Sequence, residues 1–385
     1  MALLLTSHNV TKYLRDVELC TDTEPDLLHV DLLAAKNFNL LVTLSTGNKY
    51  LVKQERLVSD GKAAGEFLNE WRIQEFLQLF PERDSFRSLL PVVSHFDAEN
   101  SIIVFNYLDD YRDLADFYTK ENVFSSAIAS SIGTIAATIH SSTFNRQDYQ
   151  EFFERDPKNK LKGLVPNLID SLERISPEIF GLVPADGLKF FVLYQRYESL
   201  AQAITELSTA YNPCCLTHND LKLNNILIHQ DWQQSNQNIV RLIDWERSAW
   251  GDPAFDLGTL IGSYLLIWLS SLVISQTLTI EESLRLAATP LEQIQPSISA
   301  MTAAYCDTFP EIREQRPDFL KRVVQFAGLA LIQQIQATIQ YQKSFGNTGI
   351  CMLQVAKSLL CHPERSMPTV FGSAAASLTQ LNQAA

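Results

Sequence analysis

Basic residues are scarce in this chain. Its 385 residues include 31 Lys and Arg against 44 Asp and Glu, which gives a net charge of −13 at pH 7. A protein that binds nucleic acid needs a basic patch to meet the phosphates, so this balance argues against a nucleic-acid partner. It is compatible with a cationic small molecule, although surplus surface carboxylates usually serve only solubility. With 46% hydrophobic residues, the chain has enough apolar material for a large core and is long enough for two domains.

The cysteine patterns of metal sites and disulfide frameworks are missing. The six cysteines include no C-x-x-C pair and no metal-ligand spacing, so we expect reduced, mostly buried thiols in a cytoplasmic protein. The start of the chain lacks a basic region and has too short an apolar run for a signal peptide. Charge is also missing from residues 257–280, whose length would permit a membrane span. Gly, Ser and Gln residues interrupt this stretch, and we expect a buried helix and no membrane association.

Two short motifs carry most of the chemical information. His218, Asp220 and Asn225 form the pattern H-x-D-x-x-x-x-N, and Asp244 follows the apolar run 239–243, which predicts a strand. Phosphoryl transfer requires a carboxylate that accepts a proton from the attacking hydroxyl, and oxygen ligands that hold Mg²⁺ on the phosphates. Asp220 suits the first task, and Asn225 and Asp244 suit the second. A polar loop between two strands is the alternative, but the order and spacing of both motifs together favour a kinase.

These motifs resemble those of the aminoglycoside phosphotransferase and choline kinase superfamily, which shares the protein-kinase-like fold. The resemblance rests on three stretches in the family order: the catalytic loop His218–Asn225, the metal-aspartate segment Ile243–Glu246, and Gly251–Leu257, which opens a helix. Weaker similarity extends from Asn37 to Pro363. The resemblance implies an enzyme that uses ATP and Mg²⁺ to phosphorylate a hydroxyl group. It does not identify the acceptor, because function within a shared fold is set by the site.

The resemblance also implies residues that hold the nucleotide. Lys53 ends a predicted strand and would hold the α- and β-phosphates, with a glutamate of the next helix as its partner. Glu70 is the best placed of these glutamates by its distance along the chain, although Glu66 and Glu75 lie on the same predicted helix.

Three further residues are candidate nucleotide contacts. The predicted phosphate-covering turn 34–40 contains no glycine, but Asn37 loosely matches the Asn or Ser turn of the superfamily. Asparagine tolerates left-handed geometry, and backbone N–H groups of a tight turn can hold phosphate. A purely structural turn is an equal alternative. Asn106 and Leu108 lie where the strand-rich part of the chain gives way to long helical stretches.

Lys222 departs from the pattern of many small-molecule kinases in the superfamily. They carry His or Gln two residues after the catalytic aspartate, whereas protein serine/threonine kinases carry Lys. Lys222 would therefore stabilise the γ-phosphate during transfer; the alternative is an exposed loop charge. This lysine leaves room for a peptidyl serine or threonine as the acceptor.

Four residues near the motifs have structural interpretations. The resemblance implies that Asp256 buries its carboxylate against the catalytic loop and caps the following helix. It also implies that His218 ties the loop to the backbone near Asp244. We interpret Asp252 as a turn former and His140, at a predicted helix end, as a packing residue.

The resemblance implies an α+β, two-lobed protein-kinase-like fold, and the pattern of predicted elements matches it. A short helix over 8–20 precedes a hairpin, a helix over 62–80 and a second hairpin, which together form a small, mostly β lobe. The predicted helices of the large lobe cover 123–140, 186–207, 257–275, 281–306, 317–343 and 347–361. The predicted domains are 1–106 for the nucleotide-binding N-terminal lobe, 107–365 for the catalytic and acceptor-binding C-terminal lobe, and 366–385 for a flexible tail.

The favoured acceptor is a hydroxylated small metabolite. The first alternative is the kinase-like subunit of a lanthipeptide-type complex, which phosphorylates Ser or Thr of a precursor peptide and works with a partner enzyme. The second is a pseudokinase scaffold, which the complete catalytic set disfavours. The identity of the acceptor, the choice between ATP and GTP, and the oligomeric state do not follow from the sequence.

Overall fold

The computed structural model describes residues 3–20, 27–33, 36–56, 65–155, 165, 185–234, 239–273 and 277–380. The chain divides into two compact units, and each takes two stretches of sequence. The strand-rich unit comprises Met1–Asp113 and Ile226–Ser248, and the helical unit comprises Leu114–Asn225 and Ala249–Ala385. The predicted division after residue 106 stays a prediction.

The strands are short and antiparallel. They are β1 (Leu27–Leu33), β2 (Phe38–Leu44), β3 (Lys49–Gln54), β4 (Val93–Asp97), β5 (Ile102–Asn106), β6 (Tyr111–Asp113), β7 (Cys215–Thr217), β8 (Ile226–His229), β9 (Val240–Leu242) and β10 (Ala249–Gly251). The strand-rich unit contains a five-stranded sheet in the order β1-β2-β3-β5-β4 and a three-stranded sheet in the order β6-β8-β9. In the helical unit, β7 pairs with β10.

Helices dominate the helical unit. The strand-rich unit holds α1 (Val10–Asp16), α2 (Glu66–Leu79) and the 3₁₀ turns Pro81–Ser88 and Trp245–Arg247. The helices of the helical unit are α3 (Leu114–Glu121), α4 (Ser126–Thr143), α5 (Gln147–Glu154), α6 (Ala185–Gln195), α7 (Glu198–Ala210), α8 (Pro253–Ser270), α9 (Ile280–Arg285), α10 (Leu291–Thr308), α11 (Glu311–Gln315), α12 (Phe319–Gln342), α13 (Asn347–Cys361), α14 (Pro363–Phe371) and α15 (Ala375–Gln380). Its 3₁₀ turns are Leu223–Asn225 and Gly372–Ala374.

Alternation along β3 gives the five-stranded sheet two different faces. Val52 belongs to a core shared with α1. Leu51 packs on the other face, against a cluster that includes Phe67 of α2. Because successive side chains of a strand point to opposite faces, Lys53 shares the face of Leu51. The strand therefore directs Lys53 toward α2, the helix that carries Glu70.

Glycines let the long helices of the helical unit approach closely. A Cβ atom at Gly133 of α4 would lie 2.1 Å from the carbonyl oxygen of Met301 in α10. A Cβ atom at Gly258 of α8 would lie 2.5 Å from the Cβ atom of Phe326 in α12. Protein interiors have no room for such overlaps, so a side chain at either glycine would push the paired helices apart.

Helix α8 lies in the apolar stretch that the sequence predicts to be a buried helix. Within the described part of the chain, it is the one helix that is long and apolar enough to cross a membrane. However, 72% of that helix is buried inside the protein. Leu257, Leu260 and Ile261 are fully buried, which is the burial expected of a core helix.

The fold class predicted from the sequence is confirmed, with differences in its elements. The predicted helix 186–207 is divided into α6 and α7, and 281–306 into α9 and α10, where Pro290 precedes the second helix. Strand β1 was not predicted.

The predicted tail differs from the structure over residues 366–380. This segment contains most of α14, a 3₁₀ turn and α15. Val370 and Phe371 are buried, and the carbonyl oxygen of Phe371 accepts a hydrogen bond of 2.8 Å from Ser299 Oγ. Apolar residues at helical spacing hold this part of the chain, although its Ala- and Ser-rich composition suggested loose attachment.

Candidate active site

The strand-rich unit joins Lys53 to Asp244. The Lys53 ammonium donates a hydrogen bond to Asp244 Oδ1 and lies 5.1 Å from the centre of the Phe105 ring. Only 13% of the lysine side chain is exposed. Burial by itself lowers the pKa of Lys53, but the negative charges around it outweigh burial and raise this pKa. The lysine is therefore held in its charged form beside the predicted metal aspartate.

Asp244 has the backbone geometry of a sharp turn. It follows β9 and precedes the 3₁₀ turn Trp245–Arg247, and its φ of 61° lies in the left-handed region. Aspartate adopts this region more readily than most residues. The turn leaves the carboxylate partly exposed, at 34% of the side chain, so it is accessible to a metal ion as well as to Lys53.

Glu70 is the glutamate of α2 that lies beside Lys53. Glu70 is 2% exposed, and no side chain in the described part of the chain donates a hydrogen bond to its carboxylate. Burial raises the pKa of Glu70; the Lys53 charge opposes this rise, while Asp244 and Glu246 add to it. By contrast, Glu66 binds Lys36 at 2.5 Å, and Glu75 is exposed.

The three remaining nucleotide candidates lie elsewhere in the strand-rich unit. Asn37 is half-buried in the bend before β2. Asn106 ends β5, and its Oδ1 accepts a 2.7 Å hydrogen bond from Ser94. The carbonyl oxygen of Leu108 accepts one from the Tyr111 amide at 3.1 Å. None of the three is hydrogen-bonded to Lys53 in the described residues, and their nucleotide-binding roles remain predictions.

The catalytic loop of the helical unit follows β7. Thr217, the last residue of β7, can donate from Oγ1 to the Ala249 carbonyl oxygen at 3.0 Å or to Asn219 Oδ1 at 2.9 Å. A Cβ atom at Gly251 of β10 would lie 2.2 Å from Thr217 Oγ1. Glycine at this position therefore lets β10 pack directly against the strand from which the loop begins.

The structure brings the three predicted catalytic residues together. Asn225 donates from Nδ2 to the carbonyl oxygen of Asp220 at 2.8 Å and to its Oδ2 at 3.2 Å. The Lys222 ammonium lies 3.1 Å from the same Oδ2. Asn225 is buried, whereas the Asp220 side chain is 20% exposed. The loop therefore orients a partly accessible carboxylate with one amide and one cation.

The buried carboxylate of Asp256 holds the backbone of this loop, as the sequence predicts. Its carboxylate accepts hydrogen bonds from the backbone amides of His218, at 2.7 Å, and Asn219, at 2.8 Å. Asn219 has a φ of 60°, a left-handed conformation that is uncommon outside glycine. The same carboxylate lies 3.2 Å from His140 Nε2, so His140 does more than fill space.

Asp252 corrects two predictions. The residue that caps α8 is Asp252 and not Asp256, since its Oδ1 accepts the Ala254 amide at 2.9 Å. Asp252 also makes a two-point ion pair with Arg316, at 2.7 and 3.0 Å, and accepts the Asn212 amide. It is thus a buried junction and not merely a turn former. Arg316 lies 64 residues along the chain from Asp252, and no local pattern pointed to it.

Comparisons with known proteins identify the family of this chain. Residues 37–279, more than half of the chain, match the sequence model of the phosphotransferase enzyme family. No protein of curated function matches the chain.

Solved structures resemble the fold over most of its length. APH(2″)-IIia in complex with GDP and kanamycin is 14% identical, covers 92% of this chain and 98% of its own, and has a TM-score of 0.52. Amicoumacin kinase hAmiN, with AMP-PNP and Ca²⁺, is 14% identical over 92% and 96%, with a TM-score of 0.50. Choline kinase LicA from Streptococcus pneumoniae is 19% identical over 92% and 98%, with a TM-score of 0.49. The first two likenesses show the kinase-like fold.

The match to the family model covers the predicted catalytic residues Asp220 and Asn225, the predicted metal ligand Asp244 and the start of α8. The chain therefore belongs to the phosphotransferase enzyme family and is a kinase that phosphorylates a hydroxyl acceptor.

Proposed function

We propose that this protein transfers the γ-phosphoryl group of ATP to a hydroxyl group of a small metabolite, with Mg²⁺ as the metal. The observation that carries the proposal is the cluster of Asp220, Lys222 and Asn225 in the catalytic loop. The structural neighbours with AMP-PNP and with aminoglycoside or amicoumacin ligands support the nucleotide and the small acceptor.

Asp220 is the proposed general base. It would accept the proton of the attacking hydroxyl, and the contacts from Asn225 and Lys222 hold its Oδ2 in place. Holding a base in one orientation removes the entropic cost of finding the reactive geometry. Lys222 would in addition offer positive charge to the phosphoryl group during transfer.

The residues present fit Mg²⁺ and a nucleotide. Asn225 and Asp244 are hard oxygen ligands, and the described residues contain no group of three or more His, Cys, Asp or Glu that could hold a metal ion. Magnesium is usually bound through one or two carboxylates together with substrate phosphates, so a full protein cage is not needed. When bound, the metal would neutralise charge on the phosphates.

Lys53 would hold the α- and β-phosphates, with Glu70 beside it. The pKa of Lys53 is raised by its acidic neighbours once they outweigh burial, so the cation required for phosphate binding persists at neutral pH. Asn37, Asn106 and Leu108 are the proposed additional nucleotide contacts. No observation favours the peptide-modifying or scaffold alternatives.

The test is transfer of label from γ-labelled ATP to a panel of hydroxylated metabolites. The unmodified protein should phosphorylate at least one of them, and Asp220→Asn should lower turnover by about 10²–10⁴-fold. Nucleotide affinity should stay nearly unchanged, since the base contacts the acceptor and not ATP. The exposed residue Asp231 provides a matched control, Asp231→Asn, which should behave as the parent. Wild-type turnover in Asp220→Asn would remove Asp220 from the base role.

A further inference from the structure

A line of buried polar groups runs through the helical unit and ends at the catalytic loop. The Tyr305 hydroxyl of α10 lies 2.8 Å from His140 Nδ1 of α4, and His140 Nε2 lies 3.2 Å from Asp256 Oδ2 of α8. Asp256 in turn accepts the amides of His218 and Asn219. Tyr305 and Asp256 are fully buried, and His140 is 2% exposed.

We propose that His140 and Tyr305 are positioning residues of the phosphoryl transfer, which hold Asp256 and, through it, the loop that carries Asp220. This inference rests on the proposed function for its effect on turnover. Neither residue touches the reacting groups; both act by fixing the carboxylate that orders the loop backbone.

The proton positions follow from the chemistry of the three groups. An ionised carboxylate only accepts hydrogen bonds, so His140 Nε2 carries the proton that faces Asp256. In the neutral imidazole, Nδ1 is then an acceptor, and the Tyr305 hydroxyl donates to it. Burial raises the pKa of Tyr305 well above its ordinary value, which keeps this hydroxyl protonated and able to donate. Donation therefore runs in one direction, from Tyr305 through His140 to Asp256.

Tyr305, His140 and Asp256 are stable in the protein interior because each has a hydrogen-bond partner. A buried polar group that loses its partner retains the full cost of desolvation, so removing one member exposes the next to that cost. Of its hydrogen bonds in the described part of the chain, Asp256 then keeps those from the backbone amides of His218 and Asn219, and its carboxylate is held less firmly. The hydrogen bond from the Asn219 amide to that carboxylate helps to hold this residue at its φ of 60°.

The packing of α4 against α10 brings His140 and Tyr305 together. At Gly133, α4 and α10 approach so closely that a Cβ atom would overlap the Met301 carbonyl oxygen. Two turns further along α4, the rings of His140 and Tyr305 meet edge to face, with centroids 5.7 Å apart and planes at 64°. The same two helices therefore fix both the distance and the orientation of the imidazole.

The experiment compares three variants with one control. Tyr305→Phe removes only the hydroxyl, His140→Leu removes the donor to Asp256, and His140→Gln keeps an N–H donor of similar reach. Tyr264→Phe is the matched control, because the Tyr264 hydroxyl is buried on α8, the helix of Asp256, but bonds Tyr118 at 2.9 Å.

The first readout is hydrogen–deuterium exchange of the loop amides at His218 and Asn219, which does not require enzyme activity. Exchange should be about five- to tenfold faster in Tyr305→Phe and His140→Leu, the effect of weakening one buried hydrogen bond. It should be unchanged in Tyr264→Phe and close to the parent in His140→Gln. Equal exchange in Tyr305→Phe and the parent would overturn the proposal, and this isosteric variant decides even where His140→Leu fails to fold.

The second readout is turnover with labelled ATP and the acceptor found in the screen. A displaced loop should lower kcat by about 10–10²-fold and leave KM for the nucleotide unchanged, with His140→Gln restoring most of the loss. Faster exchange with unaltered kcat would also overturn the positioning role. Failure of the parent to phosphorylate any acceptor would refute the proposed function alone, because the exchange result would still decide whether His140 and Tyr305 hold the loop.

Discussion

Glu70 is a buried carboxylate whose pKa is raised in the folded protein. In the described part of the chain no side chain donates a hydrogen bond to this buried carboxylate, and burial raises its pKa above the ordinary carboxylate value. The Glu70 carboxylate therefore binds a proton more tightly in the folded protein than in the unfolded chain. The associated stabilisation is complete below the unfolded pKa and is lost as pH rises through the raised folded value.

The variant Glu70→Gln should remove the effect of this proton on stability. The free energy of unfolding of the parent should fall, relative to this variant, by on the order of 2 kcal/mol between about pH 5 and about pH 8. Denaturant titrations at several pH values, without nucleotide, measure the difference. Glu75→Gln, at an exposed glutamate of the same helix, should follow the parent. Parallel pH curves for the parent and Glu70→Gln would contradict a raised pKa.

The second prediction compares the two proposed metal ligands. Asp244→Ala should weaken the Mg²⁺-dependent part of ATP affinity by on the order of 10²-fold, and Asn225→Ala by less, because an anionic ligand neutralises more of the metal charge. Titration of ATP at increasing Mg²⁺ separates the metal-dependent part from the rest. Parental Mg²⁺ dependence in Asp244→Ala would remove that residue from the metal site.

At the scale of elements, the close crossing of α4 and α10 determines the surroundings of the catalytic loop. Gly133→Ala should cost about 1–3 kcal/mol of stability, as overpacking of a filled interior does. It should also slow turnover, because a wider crossing separates His140 from Tyr305. Gly346 precedes α13 and has open space around it, so Gly346→Ala is the control. Chemical denaturation and kcat together test this; a parental melt for Gly133→Ala would show that α10 yields without cost.

The sequence predicts these elements unevenly, for physical reasons. Long helices such as α12 and α13 repeat apolar residues over many turns, so their positions follow from periodicity. Strands β6 and β8 span three and four residues, too few for any period to show, whereas the apolar run 239–243 did predict β9. The helical end of the chain was missed because alanine and serine dominate its composition, while a few buried residues such as Phe371 fix its packing.

Some residues of the candidate site could be predicted from the sequence, and others could not. Asp220, Asn225 and Asp244 could be predicted as site residues because the chemistry of phosphoryl transfer limits their types and spacing. Tyr305 and Arg316 could not, since each reaches its partner through tertiary packing from a distant part of the sequence. The sequence places Lys36 in the glycine-free turn 34–40 but does not indicate a partner for it. Only the structure shows its ion pair with Glu66.

For the whole molecule, the apolar character of α8 leads to a prediction about behaviour in solution. Because that helix is largely buried in the helical unit, the protein should purify without detergent and melt cooperatively. Saturating Mg-ATP at about 100 times its dissociation constant should add about 2.7 kcal/mol of stability by mass action. Calorimetry with and without nucleotide measures the shift, and Asp244→Ala should reduce it. Strict dependence on detergent would contradict the assignment of α8 to a core.

The interleaving of the two units along the chain has a consequence for synthesis on the ribosome. The strand-rich unit begins with Met1–Asp113 but needs Ile226–Ser248 to supply β8 and β9. A nascent chain that has released only its first part therefore exposes β6 without its neighbouring strand. Domains usually fold in turn as they emerge, but here the first unit must wait until much of the second has been translated. The growing polypeptide thus carries an incomplete sheet until the segment Ile226–Ser248 has emerged.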